Sequence, residues 1–189
     1  MLVKSLFAIV IALVLTAAVL LIVVAMQPDQ FTVTRTSIIR SSPDAVFARI
    51  NDFRQWPSWS PWEDLDPAMK RTYTGPESGT GSSYAWLGDD KVGEGRMTIT
   101  ESHAPGHIKI DLEFIKPMAS SNITEFTFKP DGENTNVSWT MSGKKNFMMK
   151  AFCLIMDIDA LIGADFEKGL AKLKTVSESG GAPAKDPTK

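Results

Sequence analysis

Apolar and polar residues alternate along the middle of the chain, which is the pattern of strands that bury one face. Residues 107–115 show it most clearly, because charged residues at 109, 111 and 113 separate the apolar residues Ile108, Ile110, Leu112 and Phe114. The same alternation, interrupted by turn residues, predicts seven strands at 31–39, 69–74, 83–87, 93–101, 107–115, 122–129 and 136–142. Short turns between consecutive strands require antiparallel pairing. The pattern therefore predicts an antiparallel sheet with one solvated face and one apolar face.

The predicted strand at 122–129 also carries polar residues toward the apolar face. Phe126 and Phe128 fix which side of this strand points inward, and the same parity turns Asn122 and Thr124 inward. Buried polar groups need hydrogen-bond partners. Strand-end backbone, water or a bound ligand would each satisfy them, so the sequence leaves three interpretations open.

The last helical segment supplies a cover for the apolar face of the sheet. At about 100° per residue, residues 157–176 form an apolar stripe from Ile158, Ile162, Phe166, Gly169 and Leu173. Asp165 lies at the edge of this stripe, and Gly169 lies near its centre. Glycine inside a helix costs about 1 kcal/mol relative to alanine. We therefore expect either a close approach by a strand at Gly169 or open volume that a ligand occupies.

Two shorter helices are also expected. Ser42-Pro43-Asp44 has the residues that begin a helix, with Ser42 as the N-cap and Pro43 at the first helical position. A second short helix is expected at residues 147–154.

Residues 56–62 read Trp-Pro-Ser-Trp-Ser-Pro-Trp and hold three of the five tryptophans. The two prolines exclude regular structure. Tryptophans on such a stiffened loop close a pocket or bind an apolar partner, or they plug one end of the core. The sequence leaves both interpretations open.

The first thirty residues predict a membrane anchor. Residues 5–26 carry no charge and consist mainly of Leu, Val, Ile and Ala. A spanning helix needs about 20 residues, whereas the core of a secretory signal has about 7–15. No small-x-small cleavage site follows, so we expect an uncleaved single-pass anchor, with a removed signal peptide as the alternative. Lys4 precedes this segment, and Asp29, Arg35 and Arg40 follow it. From these charges we expect the soluble domain outside the cytoplasm, which is the periplasm if the source is bacterial.

Composition excludes several classes of function. The formal net charge of -2 gives no nucleic-acid footprint. Cys153 is the single cysteine, which excludes an internal disulfide. The two histidines, His103 and His107, flank a turn, which argues against a His-based metal site or catalytic triad. We expect no metal and no cofactor. Gly, Pro, Ser, Ala and Lys dominate from residue 177 onward, which predicts a disordered tail. Together with the anchor, this gives three expected parts of the chain: an anchor at 1–29, a domain at 30–177 and a tail at 178–189.

The chain resembles the START-related superfamily, often called SRPBCC, in its polyketide-cyclase-like branch. The resemblance rests on the order of the predicted elements and on residues 38–47, 56–62, 79–81, 114–117 and 165–170. It implies an α+β helix-grip fold, in which a curved antiparallel sheet of about seven strands surrounds a long C-terminal helix, here preceded by one transmembrane helix. It also implies a deep cavity between sheet and helix that suits apolar or amphipathic molecules.

Members of the superfamily carry lipids, bind hormones or metabolites, catalyse cyclisation or dehydration, or bind proteins, and the fold does not select among these. We predict a membrane-anchored binding or carrier protein for a small apolar or lipid-like ligand. The predicted ligand-binding residues are Trp59, Trp62, Tyr73, Tyr84, Trp86, Met97, Leu112, Asn122, Thr124, Phe126, Trp139, Asp165 and Gly169.

Two alternatives remain from the sequence. A cyclase or dehydratase would need an acid or base in the pocket, for which Asp165 is the only candidate carboxylate and Tyr73 or Tyr84 the candidate acids. A protein-binding adaptor would use the loop at 56–62 or the outer face of the sheet. We assign no catalytic residue.

Overall fold

The computed structural model describes residues 2–179 of the chain. Its strands are β1 Gln30–Ile39, β2 Lys70–Thr74, β3 Ser83–Leu87, β4 Glu94–His103, β5 His107–Lys116, β6 Ser120–Asp131 and β7 Asn134–Lys144. Its α-helices are α1 Leu2–Ala25, α2 Pro43–Asn51, α3 Phe147–Cys153 and α4 Ile158–Glu178, and a 3₁₀-helix spans Phe53–Ser58. The strands and helices predicted from the sequence are therefore present, with shifted ends.

The strands form one antiparallel sheet in the order β1-β7-β6-β5-β4-β3-β2. Each strand from β2 to β6 pairs with the next one along the chain, and β1 pairs with β7. The register between β4 and β5 shifts between Glu94 and Gly95 and again between Ile99 and Glu101. An extra residue in one strand bends it and increases its local twist. These irregularities help to curve the sheet, and the predicted helix-grip arrangement is confirmed.

Helix α4 packs on the inner face of the sheet and buries the predicted stripe. Phe166, Leu170 and Leu173 are each at most 2% exposed. The Phe166 ring stacks on the Trp139 ring with 4.0 Å between centroids and 7° between planes. Arg35 on β1 also holds α4, since its Nε lies 2.8 Å from Glu167 Oε1 and its Nη2 lies 2.8 Å from Asp159 Oδ2. Apolar packing and this ion-pair cluster thus fix α4 on the sheet.

The C-terminal end of α4 corrects one prediction. Ser177 and Glu178 are helical, and Ser177 is buried. Glu178 Oε1 accepts a hydrogen bond from the backbone N–H of Arg40 at 2.8 Å, which anchors this last turn to the end of β1. The predicted tail began at residue 178, but this tertiary contact keeps Glu178 in the helix. The rest of the predicted tail, residues 180–189, lies outside the described residues.

Helix α2 begins as predicted. The side chain of Ser42 accepts the backbone N–H of Ala45 at 3.3 Å, and Pro43 is the first helical residue. Val46, Phe47 and Ile50 are buried. This helix and the 3₁₀-helix that follows close one end of the core. The 3₁₀-helix includes Trp56, Pro57 and Ser58, so the prediction that the prolines exclude regular structure is wrong for the first three residues of the tryptophan-rich segment.

Helix α1 is apolar and projects from the domain. Its segment Ser5–Ala25 has 21 residues and a mean hydropathy of 3.3, and almost none of it is buried by the rest of the chain. The helix is long and apolar enough to span a membrane. A signal sequence near the N-terminus has the same length and composition.

Candidate functional site

A cavity of about 400 Å³ lies between the inner face of the sheet and α4. This volume falls within the range of about 300–1,000 Å³ that is usual for small-molecule sites. Most of its wall is apolar, and the main contributors from the sheet and from α4 are Tyr84, Trp86, Met97, Leu112, Phe114, Trp139, Met141, Ile162 and Phe166. The inward parity predicted for the strands is what turns these side chains into the cavity.

Gly95 shapes the wall near β3. It pairs with Trp86 across β3 and β4, and a Cβ at Gly95 would overlap the indole ring of Trp86. The missing side chain lets the indole lie flat on the neighbouring strand. The Trp86 Nε1 donates to the carbonyl oxygen of Val92 at 3.0 Å, which fixes the orientation of the ring.

Some tryptophans of the loop at 56–62 line the pocket, and others fill the core. Trp59 is fully buried, 4.7 Å from the Trp56 ring and 5.6 Å from the Trp139 ring, and does not line the cavity. Trp56 is also buried, although one side of it reaches the cavity, and its Nε1 donates to the carbonyl of Ile50 at 2.9 Å. Trp62 is half-buried and lines the cavity. Trp59 therefore plugs the core, and Trp62 forms part of the pocket.

Glu63 follows Trp62 and places a buried carboxylate on the cavity wall. Its side chain is only 5% exposed. Its Oε1 accepts the hydroxyl of Tyr84 at 2.8 Å, and its Oε2 accepts the Nε of Arg71 at 2.7 Å. Arg71 also donates to the carbonyl of Met69 at 3.1 Å. A charge-assisted network of this kind satisfies the carboxylate and holds Tyr84 in place.

The electrostatics of this cluster follow from burial and from the charge of Glu63. Burial raises the pKa of Tyr84 far above its ordinary value, and the negative charge of Glu63 and its hydrogen bond raise it further. Burial and then Glu63 raise the pKa of Tyr73 in the same way. Burial would lower the pKa of Arg71, but the hydrogen bond to Glu63 and its charge outweigh this effect and raise it. Both phenols therefore stay protonated, and Arg71 stays charged, at neutral pH.

Sequence reasoning missed Glu63. The inference that Asp165 is the only candidate carboxylate in the pocket is wrong, since Glu63 lines the cavity and is the more deeply buried of the two. Two features of the sequence could have found it. Tyr84 was predicted to line the pocket, and a buried tyrosine hydroxyl normally has a partner. Glu63 directly follows the loop at 56–62, which was already expected at the pocket.

The structure brings most of the predicted ligand-binding residues together. Those that line the cavity are Trp62, Tyr84, Trp86, Met97, Leu112, Asn122, Thr124, Trp139 and Asp165. Asn122 and Thr124 are buried, as the strand parity predicted, and Asn122 Nδ2 lies 3.5 Å from Ser120 Oγ. The remaining four, Trp59, Tyr73, Phe126 and Gly169, do not line it. Tyr73 pairs with Tyr84 across β2 and β3 and stacks on it with 5.3 Å between ring centroids, so it supports the wall from the side.

Gly169 corrects the expectation of open volume for a ligand. A Cβ at this position would lie 2.8 Å from Trp139 Cζ3 and 3.0 Å from Pro61 Cδ. The close neighbours are thus two ring side chains, neither a strand backbone nor an empty space. Phe126 is likewise fully buried, packed 5.0 Å from the Trp139 ring. Both residues belong to the core beneath the cavity.

Asp165 lines the cavity at the boundary between core and solvent. Its Oδ1 accepts the Nζ of Lys168 at 3.0 Å, one turn along the same helix. Among residues 2–179, no group of three or more His, Cys, Asp or Glu side chains is arranged to hold a metal ion.

A family model described as polyketide cyclase / dehydrase and lipid transport matches residues 30–178. This match covers the whole sheet, the helices α2, α3 and α4 and the cavity, and it leaves out α1. The chain belongs to this family. The description of the polyketide cyclase / dehydrase and lipid transport family names both enzymes and carriers. Membership therefore establishes the architecture, and the activity has to be inferred from the residues of the site.

Solved structures share the fold of this family member at low sequence identity. The protein of unknown function SA2116 from Staphylococcus aureus is 12% identical with a TM-score of 0.60, and the alignment covers 80% of this chain and 96% of that one. The Aha1 dimer from Colwellia psychrerythraea is 15% identical with a TM-score of 0.57, covering 80% and 99%. DynU16, a putative protein in the dynemicin biosynthetic locus, is 15% identical with a TM-score of 0.57, covering 83% and 49%. A comparison with proteins of curated function finds no match.

Proposed function

We propose that this protein is a membrane-anchored binding or carrier protein for a small apolar or lipid-like molecule held between the sheet and α4. The observation that carries the proposal is the cavity of about 400 Å³ with a mainly apolar wall. Ligand sites are mostly apolar and contain a few polar groups that set orientation. The size and lining of this cavity support a small, mainly apolar ligand with few polar atoms.

The buried polar side chains of the wall lie at two places, which supports a ligand with one or two polar atoms. Glu63 and Tyr84 lie on one part of the wall, and Asn122 and Thr124 lie on β6. The amide and hydroxyl of the second pair donate and accept hydrogen bonds without charge. We expect them to contact a carbonyl or hydroxyl group of the ligand.

Helix α1 supports the membrane part of the proposal. Its 21-residue apolar segment is long enough to span a bilayer. An intact mass of the protein from its native host tests whether α1 is retained. A mature chain that begins between residues 25 and 31 would refute the anchor and leave the binding proposal standing.

A cyclase or dehydratase is the second candidate, because Glu63 and Tyr84 form a carboxylate and phenol pair on the cavity wall. An effective acid has a pKa near the operating pH. The pKa of Tyr84 is shifted away from that range by burial and by Glu63, which favours a positioning role and hence binding. A Glu63→Gln variant that still binds a compound but no longer converts it would support the enzyme.

A substitution on β6 tests the binding proposal directly. Thr124→Phe places a ring in the cavity, whereas the matched control Ile123→Phe adds it on the opposite face of the same strand, where Ile123 is 38% exposed. The full-length protein is purified in detergent micelles and titrated with cis-parinaric acid, a fluorescent fatty acid. We expect Thr124→Phe to weaken binding at least about tenfold, since it fills volume that the probe needs, and the control to bind as the wild type does. Equal affinities in both variants would contradict the proposal.

A further inference from the structure

Apolar side chains cover the corner between α3 and α4, where the chain turns from one helix into the next. Phe147, Met148, Phe152, Leu154, Ile155 and Met156 are all exposed, and Ile155 and Met148 are the most exposed at 86% and 70%. We call these six residues the α3–α4 corner. A contiguous apolar surface of this kind on a soluble domain marks a site of interaction.

The α3–α4 corner lies directly against the end of α1. Lys150 on α3 donates from its Nζ to the carbonyl oxygen of Ala25, the last residue of α1, at 3.4 Å, and it forms an ion pair with Asp29. Lys150 itself is buried, and so is Val24 at the end of α1. The hydrogen bond to Lys150 and the charge of Lys150 lower the pKa of Asp29. Helix α3 is therefore attached to the point where α1 leaves the domain.

The linker between α1 and the sheet keeps the α3–α4 corner near that point. Four residues separate Ala25 from Gln30, and an extended chain of four residues spans about 14 Å at most. A bilayer that contains α1 consequently has its surface within reach of the corner. This argument rests on the proposed function, because it assumes that α1 spans the membrane.

The mouth of the cavity adjoins the same surface. Met118, in the connection between β5 and β6, is 59% exposed, and Leu161, on the first turn of α4, is 51% exposed, yet both line the cavity. Met149, on the inner side of α3, lines it as well. These exposed lining residues mark the mouth of the cavity, and Met149 and Leu161 belong to α3 and α4, the two helices that form the corner.

The charges around the corner suit lipid headgroups. Lys144 and Lys145 precede α3, and Lys144 is exposed at the rim of the cavity. The nearby carboxylates are engaged within the protein, since Asp157 caps α4 by accepting the N–H of Ala160 and Asp159 is paired with Arg35. Lysine side chains extend naturally to the phosphate level beside a buried apolar surface.

We propose that the α3–α4 corner inserts into the surface of the phospholipid bilayer that α1 spans, and that the ligand passes between the bilayer and the cavity through the mouth at Met118 and Leu161. The carrier would then load from lipid without releasing its ligand into water. The depth of insertion is that of an interfacial helix, which buries its apolar side by about 5–10 Å.

Fluorescence quenching tests the insertion. The full-length chain carries Cys153→Ser and one new cysteine, either Met148→Cys at the α3–α4 corner or Glu133→Cys in the turn between β6 and β7, at the opposite ends of those strands. Each is labelled with an environment-sensitive nitrobenzoxadiazole dye and reconstituted in phosphatidylcholine vesicles that contain doxyl-labelled lipid. We expect a blue shift and strong quenching at residue 148 and neither at residue 133. Equal, weak quenching at both positions would overturn the insertion.

Ligand entry is tested with charged substitutions on the exposed surface. Met148→Asp combined with Ile155→Asp is compared with Met148→Leu combined with Ile155→Leu, which keeps the surface apolar. The rate at which cis-parinaric acid enters the cavity from vesicles should fall at least about tenfold in the aspartate variant, because carboxylates oppose insertion, and stay unchanged in the leucine variant. Affinity in micelles should be the same for both.

Equal entry rates in the two double variants, with intact binding, would overturn the entry route alone. A wild-type protein that binds no probe in micelles would instead refute the proposed binding function, and the quenching result would still decide whether the corner inserts.

Discussion

The substitution Gly169→Ala measures how tightly α4 packs on the tryptophan-rich loop. The added methyl would lie 2.8 Å from Trp139 Cζ3 and 3.0 Å from Pro61 Cδ, both shorter than ordinary contact. Pro61 is a rigid ring, and the Trp139 ring is held by stacking on Phe166 at 4.0 Å and by an edge contact with Trp59 at 5.6 Å. Neither neighbour can move without disturbing the core.

Two opposite terms determine the size of this effect. Replacing glycine by alanine within a helix stabilises it by about 1 kcal/mol. Forcing a methyl group into a packed core costs about 1–3 kcal/mol. We therefore expect Gly169→Ala to lower the free energy of unfolding by about 0–2 kcal/mol, where an open site would have raised it by about 1 kcal/mol.

The measurement is guanidinium-induced unfolding of the full-length protein in detergent micelles, followed by circular dichroism. Ala164→Gly is the matched control, because Ala164 is exposed on the same helix and reports helix propensity alone. We expect the control to lose about 1 kcal/mol. A Gly169→Ala variant that is about 1 kcal/mol more stable than the wild type would refute the packing described around Trp139.

Three further predictions test the electrostatics. Since the pKa of both tyrosines, Tyr73 and Tyr84, is raised in the fold, absorbance at 295 nm should rise at higher pH in the folded protein than in the unfolded one. Their contribution to stability should be complete below about pH 10 and lost above it; a titration at pH 10 in the folded state would contradict this. The Arg35 hydrogen bond lowers the pKa of Asp159, so wild type should exceed Asp159→Asn in stability at pH 6, and the difference should vanish as pH falls below about 4; a difference independent of pH would argue against the pair. Glu63→Ala should lower the free energy of unfolding by about 2–3 kcal/mol, somewhat less than for a fully buried pair because Arg71 is partly exposed, and a loss below about 0.5 kcal/mol would show that the cluster does not stabilise the fold.

Local patterns were sufficient to predict the architecture. Alternation in β5, β6 and β7 fixed the inner face of the sheet, and turn residues between the strands fixed antiparallel neighbours. The inward parity of Asn122 and Thr124 followed from Phe126 and Phe128 on the same strand and is confirmed by their burial.

The parts of the site that were not predicted depend on contacts between distant segments. Trp59 and Trp62 are both tryptophans of one short loop, so the sequence does not distinguish them. Only the packing of that loop against Trp139 decides which of them reaches the cavity. A glycine at position 169 is equally compatible with a close neighbour and with an empty space, so the sequence cannot distinguish them. The structure shows that the side chains of Trp139 and Pro61 lie close to it. Glu63 has no periodic pattern to reveal it, because it lies outside regular secondary structure.

The most direct test of the central claim is to ask whether the cavity holds a molecule. Full-length protein is purified in detergent from its native host, analysed by native mass spectrometry, and extracted with organic solvent for identification of what is released. The account predicts a bound apolar or lipid-like molecule in the wild type and in Ile123→Phe, and its loss from Thr124→Phe. A wild-type protein that carries no such molecule and takes up no cis-parinaric acid, or a molecule retained equally by Thr124→Phe, would contradict it.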